Sequence, residues 1–186
     1  MDLEPQASAA AAAAADLRTP EGFRQAALAH RRGLFRVAAR MLDTQAAEDA
    51  LQEAFARAFA ARHRYRGDAS PFAWLCAVLL NVCRDELRSR SLKRRLRLDR
   101  MVEPGEAPAR DAGPRQRVEA AERAARLREA IGALPRAQRE ALILVSLEGV
   151  PVRDAAQALG SSEAAVWQAL SRGRATLRAR LAEVKP

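Results

Sequence analysis

The sequence predicts an all-α protein built from two small helical domains that are joined by a flexible linker. Apolar residues recur at every third or fourth position over residues 21–98 and again over residues 118–184, which is the spacing of amphipathic helices. Neither stretch alternates apolar and polar residues as a half-buried β-strand would. Between them, residues 99–117 contain three prolines and two glycines among polar residues, a composition typical of a tether.

The first 20 residues are expected to lie outside the fold. They contain a run of alanines from Ala9 to Ala15 that is flanked by Pro5 and Pro20. Such a segment has little apolar surface to bury, so it cannot offset the entropy of being ordered. We therefore expect residues 1–20 to form a disordered tail.

Three helices are expected in the first domain. Apolar residues follow helical spacing over residues 23–42, 51–59 and 72–82. Ser70 followed by Pro71 is typical of an N-cap and a first helical position, so the third helix should begin there.

The second domain ends in a pattern typical of a helix-turn-helix. A short helix over residues 152–159 can end at Gly160, and Ser161 or Ser162 can cap the helix that follows. The apolar side chains of the following helix share one face: Val166, Leu170, Gly173, Leu177 and Leu181. The opposite face is free to enter a DNA major groove and carries Gln168, Ser171, Arg172, Ala175 and Arg178. A plain αα-hairpin with a glycine turn is the alternative, because it would show the same pattern.

The charge of the chain favours a polyanionic partner. Lys and Arg total 32 against 23 Asp and Glu, which gives a formal net charge of +9. Acidic proteins and membrane head groups would also suit this charge. No apolar run approaches the roughly 20 residues of a membrane span, and the N-terminus lacks a secretory signal. We therefore expect a cytoplasmic protein without membrane insertion.

Residues that metal binding or catalysis would need are scarce. The chain has two histidines, His30 and His63, and two cysteines, Cys76 and Cys83, in no metal-ligand spacing. Seven residues along one helix is too far for a disulfide, so the cysteines are expected to be small buried residues. A glycine-rich phosphate loop, a Cys-His pair in a motif and a carboxylate dyad are also missing. The sequence predicts no metal, no cofactor and no enzymatic activity.

The helix expected over residues 46–61 has a small, acidic exposed face. Leu51 lies on its apolar side, and the opposite side carries Asp49, Gln52, Glu53, Ala56 and Ala60. Acidic residues in a first helical turn stabilise the helix by roughly 0.3–1 kcal/mol, which is one explanation for Asp49. Glu53 lies beyond that turn, so docking of a basic partner helix is the other explanation.

The loop over residues 62–70 interleaves basic residues with Tyr65, and the next helix presents a polar stripe. Trp74, Asn81, Asp85 and Arg88 share that stripe. Aromatic side chains stack on unpaired bases at roughly 1–3 kcal/mol per base while arginines contact phosphates. We expect Tyr65, Trp74 and Asn81 to hold an unpaired base, with packing in the core as the alternative for the two aromatic residues. The basic run from Arg88 to Arg100 would bind a nucleic-acid backbone, or would simply be a solvated face.

Two sets of motifs resemble the extracytoplasmic-function sigma factors of the sigma-70 family. Region 2 is resembled by Ala47-Glu48-Asp49-Ala50-Leu51-Gln52-Glu53-Ala54-Phe55, by Tyr65-Arg66-Gly67-Asp68-Ala69-Ser70 with Trp74-Leu75, and by Asn81 with Asp85-Glu86-Leu87-Arg88. Region 4 is resembled by Ala133-Leu134-Pro135, Arg139, Leu142 and Glu148-Gly149, followed by Ala155-Ala156, Leu159-Gly160-Ser161, Val166, Leu170, Arg172 and Arg174. The two sets stand in the family's order on either side of a linker, and together they cover most of residues 23–182.

The resemblance implies an alternative sigma factor that directs promoter-specific initiation by core RNA polymerase. Its implied partners are the polymerase, through the β′ clamp helices and β flap, promoter DNA, and an anti-sigma factor. Polymerase docking would use Asp49, Gln52 and Glu53. Recognition and opening of the minus-10 element would use Arg64, Tyr65, Arg66, Trp74, Asn81, Arg84 and Arg88. Recognition of the minus-35 element would use Trp167, Gln168, Ser171, Arg172, Arg174 and Arg178.

The start of the reading helix departs from the family pattern. Where the family usually has Gly-Thr-Val-Lys-Ser-Arg, this chain has Ala164-Ala165-Val166-Trp167-Gln168-Ala169, which lacks two basic residues. Trp167 would either pack against the preceding helix or touch a thymine methyl group. Two rival functions stay open: a sigma-like decoy that sequesters an anti-sigma factor, and a helix-turn-helix repressor.

Overall fold

The computed structural model describes residues 16–95, 126–127 and 129–183, and all regular structure in these ranges is helical. The first half contains α1 (Pro20–Ala39), α2 (Thr44–Ala61) and α3 (Pro71–Arg95), with a 3-10 turn (Arg62–Arg64) after α2. The second half contains α4 (Arg136–Ala141), a π-helical segment (Leu142–Leu147), α5 (Val152–Leu159) and α6 (Glu163–Glu183). The predicted all-α class and the three helices of the first half are confirmed. The predicted linker over residues 99–117 and the alanine run lie outside the described residues.

Each helix of the first half begins at a side-chain cap that the local sequence supplies. The Gly22 amide donates to Thr19 Oγ1 over 3.1 Å, and the Ala46 amide donates to Asp43 Oδ1 over 3.0 Å. The predicted cap of α3 is present, because the Ala73 amide donates to Ser70 Oγ over 3.3 Å. These bonds satisfy amides that have no partner within the helix.

The three helices of the first half contact one another in pairs around a shared core. Leu34 from α1, Leu51 from α2 and Leu79 from α3 are all fully buried there. Burying such side chains stabilises the bundle by roughly 1.5–3 kcal/mol each. Helix α3 also contacts α5 of the second half, so it is packed on more than one face.

The expectation that residues 1–20 lie outside the fold is wrong for the residues just before α1. Leu17 is 0% exposed and belongs to the core. The Thr19 amide donates to the Asp16 carbonyl over 3.1 Å, which folds this segment back onto the helix start. An added Cβ on Gly22 would lie 2.2 Å from the Asp16 carbonyl oxygen, so the segment needs glycine at this position. The burial of Leu17 and the local bonds of Asp16 and Thr19 therefore join to the fold a segment that composition did not identify as folded.

The second half forms the predicted helix-turn-helix. Gly160 ends α5 in the left-handed region, with φ +60°, and the Ala165 amide donates to Ser162 Oγ over 3.2 Å. Ser162 is therefore the cap of α6. Val166 and Leu170 are 2% and 1% exposed, which confirms the apolar face of that helix.

The prediction for Leu181 on the same face is wrong, because its side chain is 43% exposed. Helix α6 contacts α4, the π-helical segment and α5, all of which are short. Gly173 lies against Leu142, where an added Cβ would be 2.7 Å from Leu142 Cδ1. The last turns of α6, including Leu181, extend past this region of close packing.

The two predicted helical domains are confirmed, and they pack against each other so that their buried residues join into one hydrophobic cluster. Helix α3 contacts α5, and ion pairs join Arg84 to Glu140 and Arg36 to Glu148 across the boundary. Helical periodicity gave no indication of this contact, because periodicity reports a buried face without identifying what covers it. None of the helices in the described ranges has the length and hydropathy to cross a membrane.

We predict that Leu17→Ala lowers the free energy of unfolding by about 2–5 kcal/mol, because it empties a fully enclosed site. The matched control is Leu28→Ala on α1, where the leucine is 67% exposed and a change within about 0.5 kcal/mol is expected. Urea unfolding followed by circular dichroism measures both. Equal effects of the two substitutions would show that the segment before α1 contributes nothing to the core.

Candidate polymerase and nucleic-acid interfaces

The acidic face of α2, formed by Asp49, Gln52 and Glu53, is exposed as predicted. Asp49 Oδ1 accepts a hydrogen bond from Gln45 over 3.1 Å. Glu53 Oε1 accepts one from Arg57 Nε over 2.7 Å. The small exposed residues Ala56 and Ala60 continue the same face, so a partner helix can approach its backbone closely.

A groove of about 580 Å³ runs beside this acidic face, between α2 and α3. Arg57 bridges its two walls, since it binds Glu53 and also donates to Asp85 Oδ2 over 3.3 Å. Arg90 of α3 reaches Asp43 at the start of α2 over 2.6 Å. The protein's own arginines therefore hold the carboxylates of the groove in position. Each of these carboxylates can replace its arginine with a basic side chain of an incoming helix.

The aromatic cleft is a cavity of about 340 Å³ between the loop after α2 and the start of α3. The Tyr65 and Trp74 rings meet edge to face with centroids 5.6 Å apart. The Tyr65 hydroxyl donates to the Ala69 carbonyl over 2.7 Å, which holds the loop against α3. Gly67 allows the tight turn because its φ of +80° lies in the left-handed region. Residues from both halves of the chain line the cleft: Arg64, Tyr65, Arg66, Asp68, Ala69, Ala73, Trp74, Ala77, Gln157 and Ala158.

Both aromatic rings in the cleft are partly buried and packed against the core. Each ring therefore packs on the core and also lines the cleft. Burial raises the pKa of the Tyr65 hydroxyl, with a smaller contribution from Asp154 on α5. Tyr65 thus stays a neutral hydrogen-bond donor at physiological pH.

Asn81 lies outside this cleft, which corrects the expectation that it holds a base together with Tyr65 and Trp74. Seven residues along a helix place it about 10 Å beyond Trp74. Its side chain is exposed, and its Oδ1 accepts a hydrogen bond from Arg84 Nη1 over 2.7 Å. Arg88 is exposed two turns beyond Asn81 and pairs with Asp85 over 2.6 Å. The polar stripe therefore continues from the cleft along α3.

Arg84 is not free at the surface, because Glu140 of the second half binds it. Arg84 Nε and Nη2 each donate to one Glu140 carboxylate oxygen, both over 2.7 Å. The side chains are 14% and 2% exposed, and this hydrogen bonding raises the pKa of Arg84. Sequence reasoning missed Glu140, because its partner lies 56 residues away. Of the basic run up to Arg100, the structure describes only the start, and side chains from residue 93 to 100 lie outside the described ones.

The reading helix α6 exposes the side chains that were predicted to face DNA: Gln168, Ser171, Arg172, Arg174 and Arg178. Arg174 Nη2 also donates to Ser146 Oγ over 3.1 Å, so it lies at the edge of the face, near the π-helical segment. Trp167 is 55% exposed. Of its two alternatives, the structure supports an outward-facing indole over packing on the preceding helix.

The cysteines behave as the sequence predicts. Cys76 and Cys83 are both buried and unpaired. Burial raises the pKa of both thiols, that of Cys83 to about 12, so the nucleophilic thiolate is scarce. Within the described part of the chain, His, Cys, Asp and Glu nowhere form a group that could hold a metal ion.

Comparisons with known proteins agree with this arrangement. A family model described as Sigma-70 region 2 matches residues 27–93, and one described as Sigma-70, region 4 matches residues 124–177. The extracytoplasmic-function RNA polymerase sigma factor SigM of Mycobacterium tuberculosis is 34% identical over 150 residues, which is 80% of this chain and 71% of SigM. The probable RNA polymerase sigma factor RfaY of Xanthomonas campestris is 38% identical over 142 residues, and this match spans only 34% of RfaY.

A solved structure extends the likeness to the whole arrangement of helices. CnrH, in complex with the cytosolic domain of CnrY, aligns with a TM-score of 0.66 and 25% identity over 99% of this chain and 100% of that one. CnrH is named as an RNA polymerase sigma factor of Cupriavidus metallidurans and is 32% identical over 138 residues. Since the SigM and CnrH matches each extend over more than two thirds of both proteins, the chain belongs to the extracytoplasmic-function group of the sigma-70 family of RNA polymerase sigma factors.

Proposed function

We propose that this protein is an alternative sigma factor that binds core RNA polymerase and directs initiation at promoters it recognises through minus-10 and minus-35 elements. The observation that carries the proposal is the aromatic cleft. Its paired Tyr65 and Trp74 rings line it together with Arg64 and Arg66, and α3 continues from it with exposed polar residues. A site of this kind suits an unpaired base and its flanking phosphates.

The acidic face of α2 is the proposed polymerase docking surface. Asp49 and Glu53 are exposed on a helix whose neighbouring positions, Ala56 and Ala60, are small. A basic helical partner therefore meets complementary charge without steric hindrance. In a sigma factor, this partner is the pair of β′ clamp helices, and the β flap is the second proposed contact on the core enzyme.

The aromatic cleft and the α3 stripe are the proposed minus-10 surface. Stacking of one unpaired base on Tyr65 or Trp74 contributes roughly 1–3 kcal/mol, which offsets part of the energy of unpairing it. Asn81 and Arg88 then contact the strand further along α3. The protein itself breaks no covalent bond: binding energy is converted into strand separation, and the polymerase supplies the catalysis.

The exposed face of α6 is the proposed minus-35 reader. Gln168 can form a bidentate pair with adenine, and the outward indole of Trp167 can contact a thymine methyl group. Arg174 and Arg178 are exposed on the same helix, and these two arginines are the proposed phosphate contacts. This chain lacks two basic residues that the family usually has at the start of this helix. Recognition of the minus-35 element would therefore rely more on hydrogen bonds and apolar contacts.

An anti-sigma factor is a further proposed partner, and the cytoplasm is the proposed location. CnrH, which shares the fold over nearly the whole chain, was solved in complex with the cytosolic domain of CnrY. A comparable partner here would cover the surfaces that polymerase and DNA otherwise use.

Co-purification with core RNA polymerase followed by run-off transcription separates this function from its two rivals. A sigma factor binds core polymerase and supports a specific transcript. A sigma-like decoy would bind only an anti-sigma factor, and a repressor would bind duplex DNA alone. The outcome that would overturn the proposal is failure to bind core polymerase by a correctly folded protein.

Reversing the acidic face should abolish polymerase binding. We expect the double variant Asp49→Lys with Glu53→Lys to lose roughly 2–5 kcal/mol of binding free energy, as for other central interface charges. The control is Glu21→Lys with Glu129→Lys, which changes the net charge equally at exposed positions elsewhere. A pull-down with core polymerase compares them, with circular dichroism as the check on folding. Equal binding by both double variants would move the docking site away from α2.

Removing the Asn81 amide should impair strand opening more than stability. Asn81 is exposed, so Asn81→Ala should change the unfolding free energy by no more than about 0.5 kcal/mol. Loss of one polar contact to the strand, worth about 1 kcal/mol, should lower open-complex formation about fivefold. Permanganate footprinting measures the opening, and Ser89→Ala on the same helix is the control. Normal opening combined with a lowered melting temperature would instead assign Asn81 a packing role.

Two substitutions on α6 should separate base reading from phosphate binding. Gln168→Ala should relax preference at one minus-35 base pair, since one bidentate contact discriminates by roughly 1–3 kcal/mol. Arg178→Ala should weaken binding to all sequences alike and reduce the salt dependence by about one phosphate contact. Selection from a randomised minus-35 library tests both. Absence of any preference in the unsubstituted protein would show that α6 is no reader and would favour the decoy.

A further inference from the structure

The two carboxylates of the acidic face on α2 differ in whether an arginine already holds them. Asp49 Oδ1 accepts a hydrogen bond from the neutral side-chain amide of Gln45 over 3.1 Å, and within the described part of the chain Asp49 forms no ion pair. Glu53 Oε1 lies 2.7 Å from Arg57 Nε, in an ion pair that spans one helical turn. A basic partner helix therefore meets one open carboxylate and one that already has a cationic partner.

Arg57 has a second carboxylate within reach, on the other wall of the groove. Its Nη1 lies 3.3 Å from Asp85 Oδ2 on α3. Hydrogen bonds to the two carboxylates raise the pKa of the Arg57 guanidinium, and Glu53 contributes more than Asp85. Arg88 Nη2 binds the other oxygen of Asp85 over 2.6 Å, so Oδ2 stays available to Arg57. The guanidinium thus lies between a carboxylate of the docking face and one outside it, and the shorter contact is with the docking face.

We propose that Arg57 is an internal competitor of RNA polymerase for Glu53, and that Asp85 receives Arg57 when the polymerase takes its place. A basic side chain of the polymerase displaces the guanidinium from Glu53, and the guanidinium moves across the groove to Asp85. Arg57 then lowers the affinity for core polymerase, and Asp85 restores part of it. This inference rests on the proposed function, because it takes Glu53 as a polymerase contact.

The exposure of these side chains permits such an exchange. Arg57, Glu53 and Asp85 are 49%, 52% and 49% exposed, and all three line the groove of about 580 Å³. Ion pairs between exposed side chains are weak, because water screens the charges and holding two long side chains together costs entropy. A guanidinium has five N–H donors, so Arg57 can strengthen its bond to Asp85 as it leaves Glu53. The pair with Glu53 can therefore break without disturbing the packing of the helices.

The alternative role for Arg57 is to position Glu53 for the polymerase, and this role predicts the opposite effect on affinity. Competition is favoured because the Arg57 guanidinium already lies where a basic side chain of the partner has to bind. Like charges brought together at an interface weaken binding. Removing the Arg57 charge therefore tightens binding if Arg57 competes and loosens it if Arg57 positions Glu53.

The test is competition between two labelled proteins for a limiting amount of core polymerase. The unsubstituted protein and a variant carry different fluorescent labels, and their ratio on the polymerase gives the relative affinity. Arg57→Gln should bind about twofold to fivefold more tightly, which is the range expected for an exposed ion pair. Asp85→Asn should bind about twofold more weakly, because Arg57 then has only Glu53 as a partner.

Two double variants show whether these effects act through the proposed contacts. Adding Asp85→Asn to Arg57→Gln should cause no further change, because the side chain that Asp85 receives is gone. Adding Arg57→Gln to Glu53→Gln should also cause no further change, because the contested carboxylate is gone. A long-range effect of the Arg57 charge would instead persist in the Glu53→Gln background.

The matched control is Arg31→Gln. Arg31 of α1 lies 3.0 Å from Glu48 of α2, in another partly exposed ion pair that is outside the docking face. This variant loses the same charge and should compete as the unsubstituted protein does. Raising the salt from about 0.1 M to about 1 M shortens the Debye length from about 10 Å to about 3 Å, so it should reduce the advantage of Arg57→Gln. Circular dichroism checks that every variant is folded.

The outcomes separate this inference from the docking surface on which it rests. Weaker binding by Arg57→Gln would overturn the proposal and assign Arg57 the positioning role. Equal gains in Arg57→Gln and Arg31→Gln would also overturn it, since a general charge effect would then explain both. Polymerase binding that survives Asp49→Lys with Glu53→Lys would remove the docking surface itself. Loss of binding in that double variant, together with unchanged binding by Arg57→Gln, would keep the surface and overturn only the competition.

Discussion

Helix α3 is packed on more than one face, and the other helices of both halves are arranged around it. One side packs on α1 and α2 to form the region 2 core, and another contacts α5 of region 4. Its small buried residues Ala73, Cys76 and Cys83 let neighbouring helices approach. Because α5 lines the aromatic cleft as well as packing on α3, the contact between the two regions also shapes that cleft.

Arginine side chains form ion pairs at both the α2 groove and the contact between the two halves, and the pairs differ in how deeply they are buried. Arg57 and Arg90 align carboxylates along the groove beside α2, where both ion pairs are partly exposed and contribute little stability. Arg84 lies in a drier environment, held by a buried carboxylate. The same residue type thus orders the acidic face of α2 in one place and joins the two halves of the chain in another.

The three proposed interfaces differ in how rigidly they are built. The acidic face and the reading face are formed by side chains of single helices, whose capped starts and buried apolar sides hold them in place. The aromatic cleft depends on a loop, a helix start and a segment from the other half of the chain. The shape of the cleft therefore depends on how the two halves of the chain pack, whereas a face of one helix does not.

Local sequence signals by themselves determined the helical class, the cap at Ser70, the helix end at Gly160 and the exposed faces of α2 and α6, and they narrowed the cap of α6 to Ser161 or Ser162. Each of these depends on residues within about one or two helical turns, so spacing alone is enough to predict it. Only the tertiary structure decided that Leu17 is buried and that Leu181 is exposed. It also decided that Glu140 binds Arg84. These outcomes depend on which segments meet in space, and a contact between residues far apart in the chain leaves no periodic pattern in the sequence around either of them.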